Sequence, residues 1–238
     1  MKKIRLIVTL LMLAGTVSAQ TPQEWRDSVS VLSRQITKAP YDTSLRLKKA
    51  ACNIELGQWQ YALDEYSYVL TLEPKNLEAL YYRGYVNHHL GRYPFARKDY
   101  ESVLAIDPMS AHALIGLIMT NLADGRITQA YDDANRLVNQ MPDNAESYAT
   151  RAEVEKSTGM VEAAIEDIEK AIEIEDVEVK KKYPTSVDDN ITSYQLTAFT
   201  LYLQTHRKDK ARGALEYLVA NGVPRAALVD YYTLLGTK

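Results

Sequence analysis

Small, bulky and structure-breaking residues recur along this chain in one fixed frame. Ala62, Ala96, Ala130 and Ala164 stand 34 residues apart; Gly57, Gly91, Gly125 and Gly159 keep the same step, as do Pro74, Pro108 and Pro142. Between these markers lie three columns of mostly apolar residues. The first is Trp59, Tyr93, Ile127 and Val161; the second is Tyr66, Tyr100, Ala134 and Ile168; the third is Val69, Val103, Leu137 and Ala171. A period held without insertion over four units marks a repeat architecture, in which each unit buries its apolar face against its neighbours. Each unit reads as two helices. In the third, AHALIGLIMTNLADG is an apolar-rich helix ending at Gly125, and a second helix runs from Thr128 to about Gln140 and stops before Pro142. Glycine just past a helix end accepts the left-handed conformation that terminates the helix. Proline cannot continue the next one and pushes the residue before it out of the helical region. The alanine column has a steric reason: a longer side chain there would hold the paired helices apart, while the bulky columns fill the space around that contact.

A 34-residue unit with this spacing of small, bulky and proline positions resembles the tetratricopeptide repeat family. The clearest carriers are Gly91, Tyr93, Ala96, Tyr100 and Pro108 within LGRYPFARKDYESVLAIDP, and the arrangement recurs in LGQWQYALDEYSYVLTLEP. The resemblance implies an all-α fold: a right-handed superhelical α-solenoid of antiparallel helix pairs, with four to five repeats plus terminal capping helices. The expected layout is a signal peptide over 1–19, an unpaired N-terminal capping helix over 20–42, and repeats over 43–76, 77–110, 111–144 and 145–178. An irregular insertion over 179–191 follows, because Asp176 replaces the expected proline; then come a degenerate fifth repeat over 192–223 and a capping helix over 224–238. In the fifth repeat Ala211 holds the alanine column, and His206 stands where glycine stood.

The N-terminus changes the picture of where the chain works. Lys2, Lys3 and Arg5 precede the apolar run LIVTLLMLAG, and small residues sit at Val17 and Ala19. A basic start, a short apolar run and small residues at a cleavage position describe a secretory signal. Cleavage after Ala19 leaves 219 residues with no membrane-inserted segment. The signal type points to a bacterial envelope protein, with the periplasm as the expected compartment. Removing three basic residues takes the formal charge from −3 to −6. That balance, with Lys180–Lys182 as the one basic cluster, argues against nucleic acid, where phosphate contacts need clustered Lys and Arg. A single cysteine, Cys52, cannot form an internal disulfide and reads as a small buried apolar residue.

The segment LYYRGYVNHHLG, residues 80–91, gathers tyrosines, an arginine and adjacent histidines and imitates a reactive centre. Helix geometry argues otherwise. His88 and His89 lie about 100° apart around a helix, so they cannot chelate one ion from one face. If first helices run parallel, as in the family, His88 and His112 are displaced by about ten residues, or ~15 Å along the axis. No phosphate loop, nucleophile elbow or H-E-x-x-H pair is present, and neither a metal, a cofactor nor a catalytic residue is expected.

The family resemblance instead implies a groove walled by first helices, placing Leu47 and Ile54, then Tyr81, Tyr85 and His88, then His112, Ile115, Met119 and Leu122, then Glu153 on its surface. Ala51, Tyr85, Met119 and Glu153 stand where a carboxylate-clamp subgroup places asparagines, so a co-chaperone role is disfavoured. The expected occupant is a segment of another protein, anchored by side chains. The competing expectations are a polar ligand or catalytic site at 177–191, built from Lys182, Tyr183, Asp188 and Asp189, and self-assembly of copies.

Overall fold

The computed structural model describes residues 21–182 and 188–236, and they form helices and no strands. The expected signal peptide lies outside the described residues. The helices are α1 (Pro22–Lys38), α2 (Thr43–Glu55), α3 (Trp59–Leu72), α4 (Leu77–His89), α5 (Tyr93–Ile106), α6 (Ala111–Ala123), α7 (Ile127–Gln140), α8 (Ala145–Thr158), α9 (Val161–Lys182), α10 (Asp189–Gln204), α11 (Lys208–Ala220) and α12 (Val229–Leu234). A 3-10 turn over Arg225–Leu228 leads into α12. The chain divides within α7 into two compact units, one ending at Asp133 and one beginning at Ala134.

Local chemistry explains where the helices start and stop. Asp42, Asn76, Asn144 and Asp188 cap α2, α4, α8 and α10 by accepting backbone N–H bonds with their side chains. Thr21 and Glu24 form a reciprocal capping box at α1. The second helices α3, α5 and α11 begin without such caps, and tight turns precede the second helices. There Gly57, Gly91, Gly125 and Gly159 hold φ between 67° and 81°, the left-handed region. Directly after each of these glycines an N–H returns to the carbonyl five positions back, as in Arg92 N to Asn87 O at 2.8 Å. His206 adopts φ 60° and makes the same turn, with Arg207 N donating to Tyr202 O at 2.7 Å.

In the unit ending at Asp133, α1 packs on α2, α2 pairs with α3 and α4 with α5, and α3 and α5 pack on the next first helices, α4 and α6. Ala62, Ala96, Tyr66 and Tyr100 are buried in its two core clusters. In the unit beginning at Ala134, α8 pairs with α9 and α10 with α11, around Ala164, Ile168, Phe199, Ala211 and Leu215.

The expected insertion over 179–191 requires correction at both ends. α9 continues through Lys182, and α10 begins at Asp189. With Asp176 in place of proline no ring blocks the backbone, so the helix that stops at Leu72 and Ile106 in earlier units here extends. Buried Val179, 7% exposed, gives the extension an apolar anchor.

Candidate recognition groove

Nine of the ten groove residues expected from the sequence lie on α2, α4 and α6, within the unit ending at Asp133. Leu47, Ile54, Tyr81, Tyr85, His88, Ile115, Met119 and Leu122 are half-buried and His112 is exposed. Leu47 and Ile54 rest against the α2–α3 core, and Tyr81 against the core around Tyr100. Glu153 lies on α8 in the other unit, where it pairs with Lys156 one turn away.

The aromatic residues of α4 are tied to both flanking helices. Trp59, at the start of α3, lies flat against His89, with ring centroids 4.5 Å apart and planes 11° apart. Tyr85 stands edge-on to His89 at 4.3 Å and tilted toward Trp59 at 6.1 Å. On the α6 side, Tyr81 meets His112 edge-on at 6.2 Å. His88 Nδ1 lies 3.0 Å from Thr120 Oγ1. The Thr120 hydroxyl spends its single proton on Gly116 O at 2.7 Å, so it accepts from His88. Nδ1 therefore carries the proton, and in the neutral ring Nε2 is left as an acceptor. Burial, with His89 adding to it, holds His88 below the ordinary imidazole range, and burial does the same for His89. Burial pushes the Tyr85 phenol up. His88, His89 and Tyr85, each with its charged form disfavoured by burial, thus present aromatic rings with hydrogen-bonding edges.

A second polar system lies between the helices of each hairpin. Arg83 on α4 grips Asp99 on α5 through Nε at 2.9 Å and Nη2 at 2.5 Å, and Asn87 Nδ2 adds a third donor at 3.1 Å. Arg151 grips Asp167 in the same way, at 2.6 and 2.8 Å, and holds Asn135 at 3.1 Å. The Arg83–Asp99 clamp braces the α4–α5 hairpin from which Tyr81 and Tyr85 project.

Sequence reasoning missed Trp59 as part of the α4 aromatic set, counting it as a core column. The signal was available: the same column supplies Tyr93, which stands edge-on to His88 at 5.7 Å. At the competing site, Asp188 is occupied as the α10 cap and Asn190 donates to Glu175, while Tyr183 and the Lys182 side chain lie outside the described residues. Among the described residues no group of three His, Cys, Asp or Glu side chains could hold a metal ion, and no helix is long and apolar enough to cross a membrane.

Comparison with known proteins gives a local match to a repeat family and a likeness of fold. A family model for the tetratricopeptide repeat matches residues 54–111. No curated protein matches the chain. Among solved structures, a tetratricopeptide repeat protein from Parabacteroides merdae is similar over 90% of this chain and 79% of its own, at 20% identity and a TM-score of 0.66. A thermophilic TPR protein of Thermus thermophilus covers 81% of this chain and 98% of its own, at 19% identity and 0.62. MamA from Desulfovibrio magneticus covers 65% and 87%, at 20% identity and 0.59. At these identities the likeness is one of fold.

Proposed function

We propose that the chain, whose residues 54–111 match the tetratricopeptide repeat, is a non-catalytic scaffold of the bacterial cell envelope that holds a partner-protein segment against the α2–α4–α6 face. The observation that carries this reading is the aromatic strip of α4. Tyr81 and Tyr85 fall one helical turn apart, half-buried, and ring contacts from Trp59, His89 and His112 limit their motion. Rigid, partly desolvated aromatic side chains lose little entropy on binding and are the commonest anchors of protein interfaces. Their flanking apolar neighbours, Ile115, Met119 and Leu122, suit the side chains of an extended or helical segment rather than a charged terminus. The basic, apolar start of the chain supports export, and sequencing the N-terminus of protein recovered from the periplasm tests it: a start at Gln20 is expected.

The decisive test of the groove is recovery of partners from envelope extract by the wild-type chain and by the Tyr81→Ala/Tyr85→Ala variant. Loss of two hot-spot anchors lowers affinity by roughly thirtyfold or more, so a specifically bound protein should disappear from the variant's eluate. Circular dichroism should show unchanged helix content. Equal recovery by a folded variant would remove the groove assignment.

A further inference from the structure

One position of the repeat carries a buried polar side chain in all four units: Asn53, Asn87, Asn121 and Glu155, each 1–5% exposed. It lies one turn after Lys49, Arg83, Leu117 and Arg151 on the first helix, and the second helix carries an acid 12 residues further on, Glu65, Asp99, Asp133 or Asp167. In the first unit Glu65 pairs with Arg46 and Lys49, and Asn53 Nδ2 is without a hydrogen-bond partner. In two units the asparagine donates its amide to that acid, Asn87 to Asp99 at 3.1 Å and Asn121 to Asp133 at 3.4 Å. In the fourth unit the donor is replaced by a carboxyl. Asp167 still takes two bonds from Arg151, while Glu155 lies within side-chain hydrogen-bonding reach of Asp167, its Oε2 sealed from solvent and given no donor by the surrounding protein. An ionised carboxylate has no proton to donate, so two facing carboxylates would repel at this buried contact.

We propose that Glu155 is a proton-carrying acid in the folded protein, donating to Asp167 as the Asn87 and Asn121 amides donate to Asp99 and Asp133, so that folding of the α8–α9 hairpin takes up a proton. The charged groups facing Glu155 are Arg151 on its own helix and Asp167 and Glu166 on α9; Asn135 of α7 is held by the same arginine. Burial first, and the Asp167 carboxylate second, push Glu155 up to about 7, against the pull of Arg151. A pKa raised in the folded state sets the sign of the effect. The stabilisation is complete below the ordinary glutamate value of 4.5 and is lost as pH rises through about 7, because only the folded chain keeps the proton in that window. Glu155→Gln would supply a permanent amide donor in the same space and remove the dependence. The fourth unit is thereby a device that loosens on alkalinisation, while the asparagine units lack this proton.

The experiment is a carbon-13 carboxyl titration of the full chain by NMR, with Glu155 assigned by the signal lost in Glu155→Gln. Glu155 should titrate near neutrality, while the exposed glutamates titrate in the ordinary range. Denaturant unfolding of both proteins provides the second reading. Between pH 5 and 8 the unfolding equilibrium constant of the wild type should rise at least about tenfold relative to Glu155→Gln. Taking that ratio cancels the opposing titration of His88 and His89. Titration of Glu155 alongside the exposed glutamates would overturn the proposal, as would parallel pH profiles for the two proteins. Should Glu155→Gln not fold, the wild-type titration alone decides, with Glu155→Asp used for assignment.

Discussion

In the α4–α5 hairpin, Arg83 grips Asp99 through two nitrogens while Tyr81, Tyr85 and His88 lie half-buried on the same helix. In the α8–α9 hairpin, Arg151 grips Asp167 with the same geometry, yet the corresponding positions hold Ala149, Glu153 and Lys156. Two hairpins thus share an inner clamp and differ in what they display. The clamp repeats because it answers a packing problem: an acid 16 residues along the chain is brought against the arginine whenever the two helices pair. The displayed face varies because pairing within the hairpin makes no demand on it. The hairpins also differ at the tight contact beside the alanine column. Gly84 lies against the Tyr100 ring, whereas Ala152 faces the hairpin where Ile168 replaces that tyrosine. The α2–α3 hairpin shows that a ring does not by itself demand glycine, since Tyr66 is buried with Ala50 at the position of Gly84.

The largest expected effect comes from breaking the shared clamp on one side. Asp99→Ala leaves Arg83 and Asn87 without their acceptor in a site where the acid is 3% exposed. Removing one partner of such a buried pair costs about 3–5 kcal/mol. Denaturant unfolding should show it, and Asp167→Ala should cost a similar amount only if the two clamps are equivalent. Next is the ring seat. A Cβ at Gly116 would stand 2.5 Å from Tyr100 Cζ, far inside contact distance of a ring that is 2% exposed. Gly116→Ala should destabilise by about 1–3 kcal/mol through overpacking. In a double-mutant cycle with Tyr100→Leu, most of that penalty should vanish. The smallest effect concerns the turn where the two halves differ. His206 takes φ 60° at a position that Gly57, Gly91, Gly125 and Gly159 occupy elsewhere. His206→Gly should raise stability by about 1 kcal/mol or less, since the left-handed strain is relieved while unfolded-chain entropy rises. A loss of stability would mean that the imidazole makes compensating contacts.

Much of the fold was legible from residue spacing, though unevenly. The turn glycines and the prolines after α3, α5 and α7 announced helix ends because they act on the backbone within a few residues. The end of α9 was misplaced for the complementary reason. Asp176 weakens a stop signal without deciding where the helix stops, and that depended on whether apolar residues such as Val179 found a surface to bury against. Repeat spacing placed Tyr81, Tyr85 and His88 on one first helix, but not that Trp59 would reach His89 from another helix. The Arg–Asp clamp was equally hidden, since Leu117 interrupts the basic column in the third unit.

By itself the sequence determined the repeat length, the two-helix unit and the left-handed turns. Each follows from short-range backbone preferences and a helical period that residue identity dictates directly. Only the tertiary structure decided which acid meets which base, which aromatic rings touch across helices, and that Glu155 faces Asp167 out of water. Those outcomes depend on which helix faces meet and how much solvent is excluded between them, and burial turns an ordinary glutamate into one that holds its proton near neutrality.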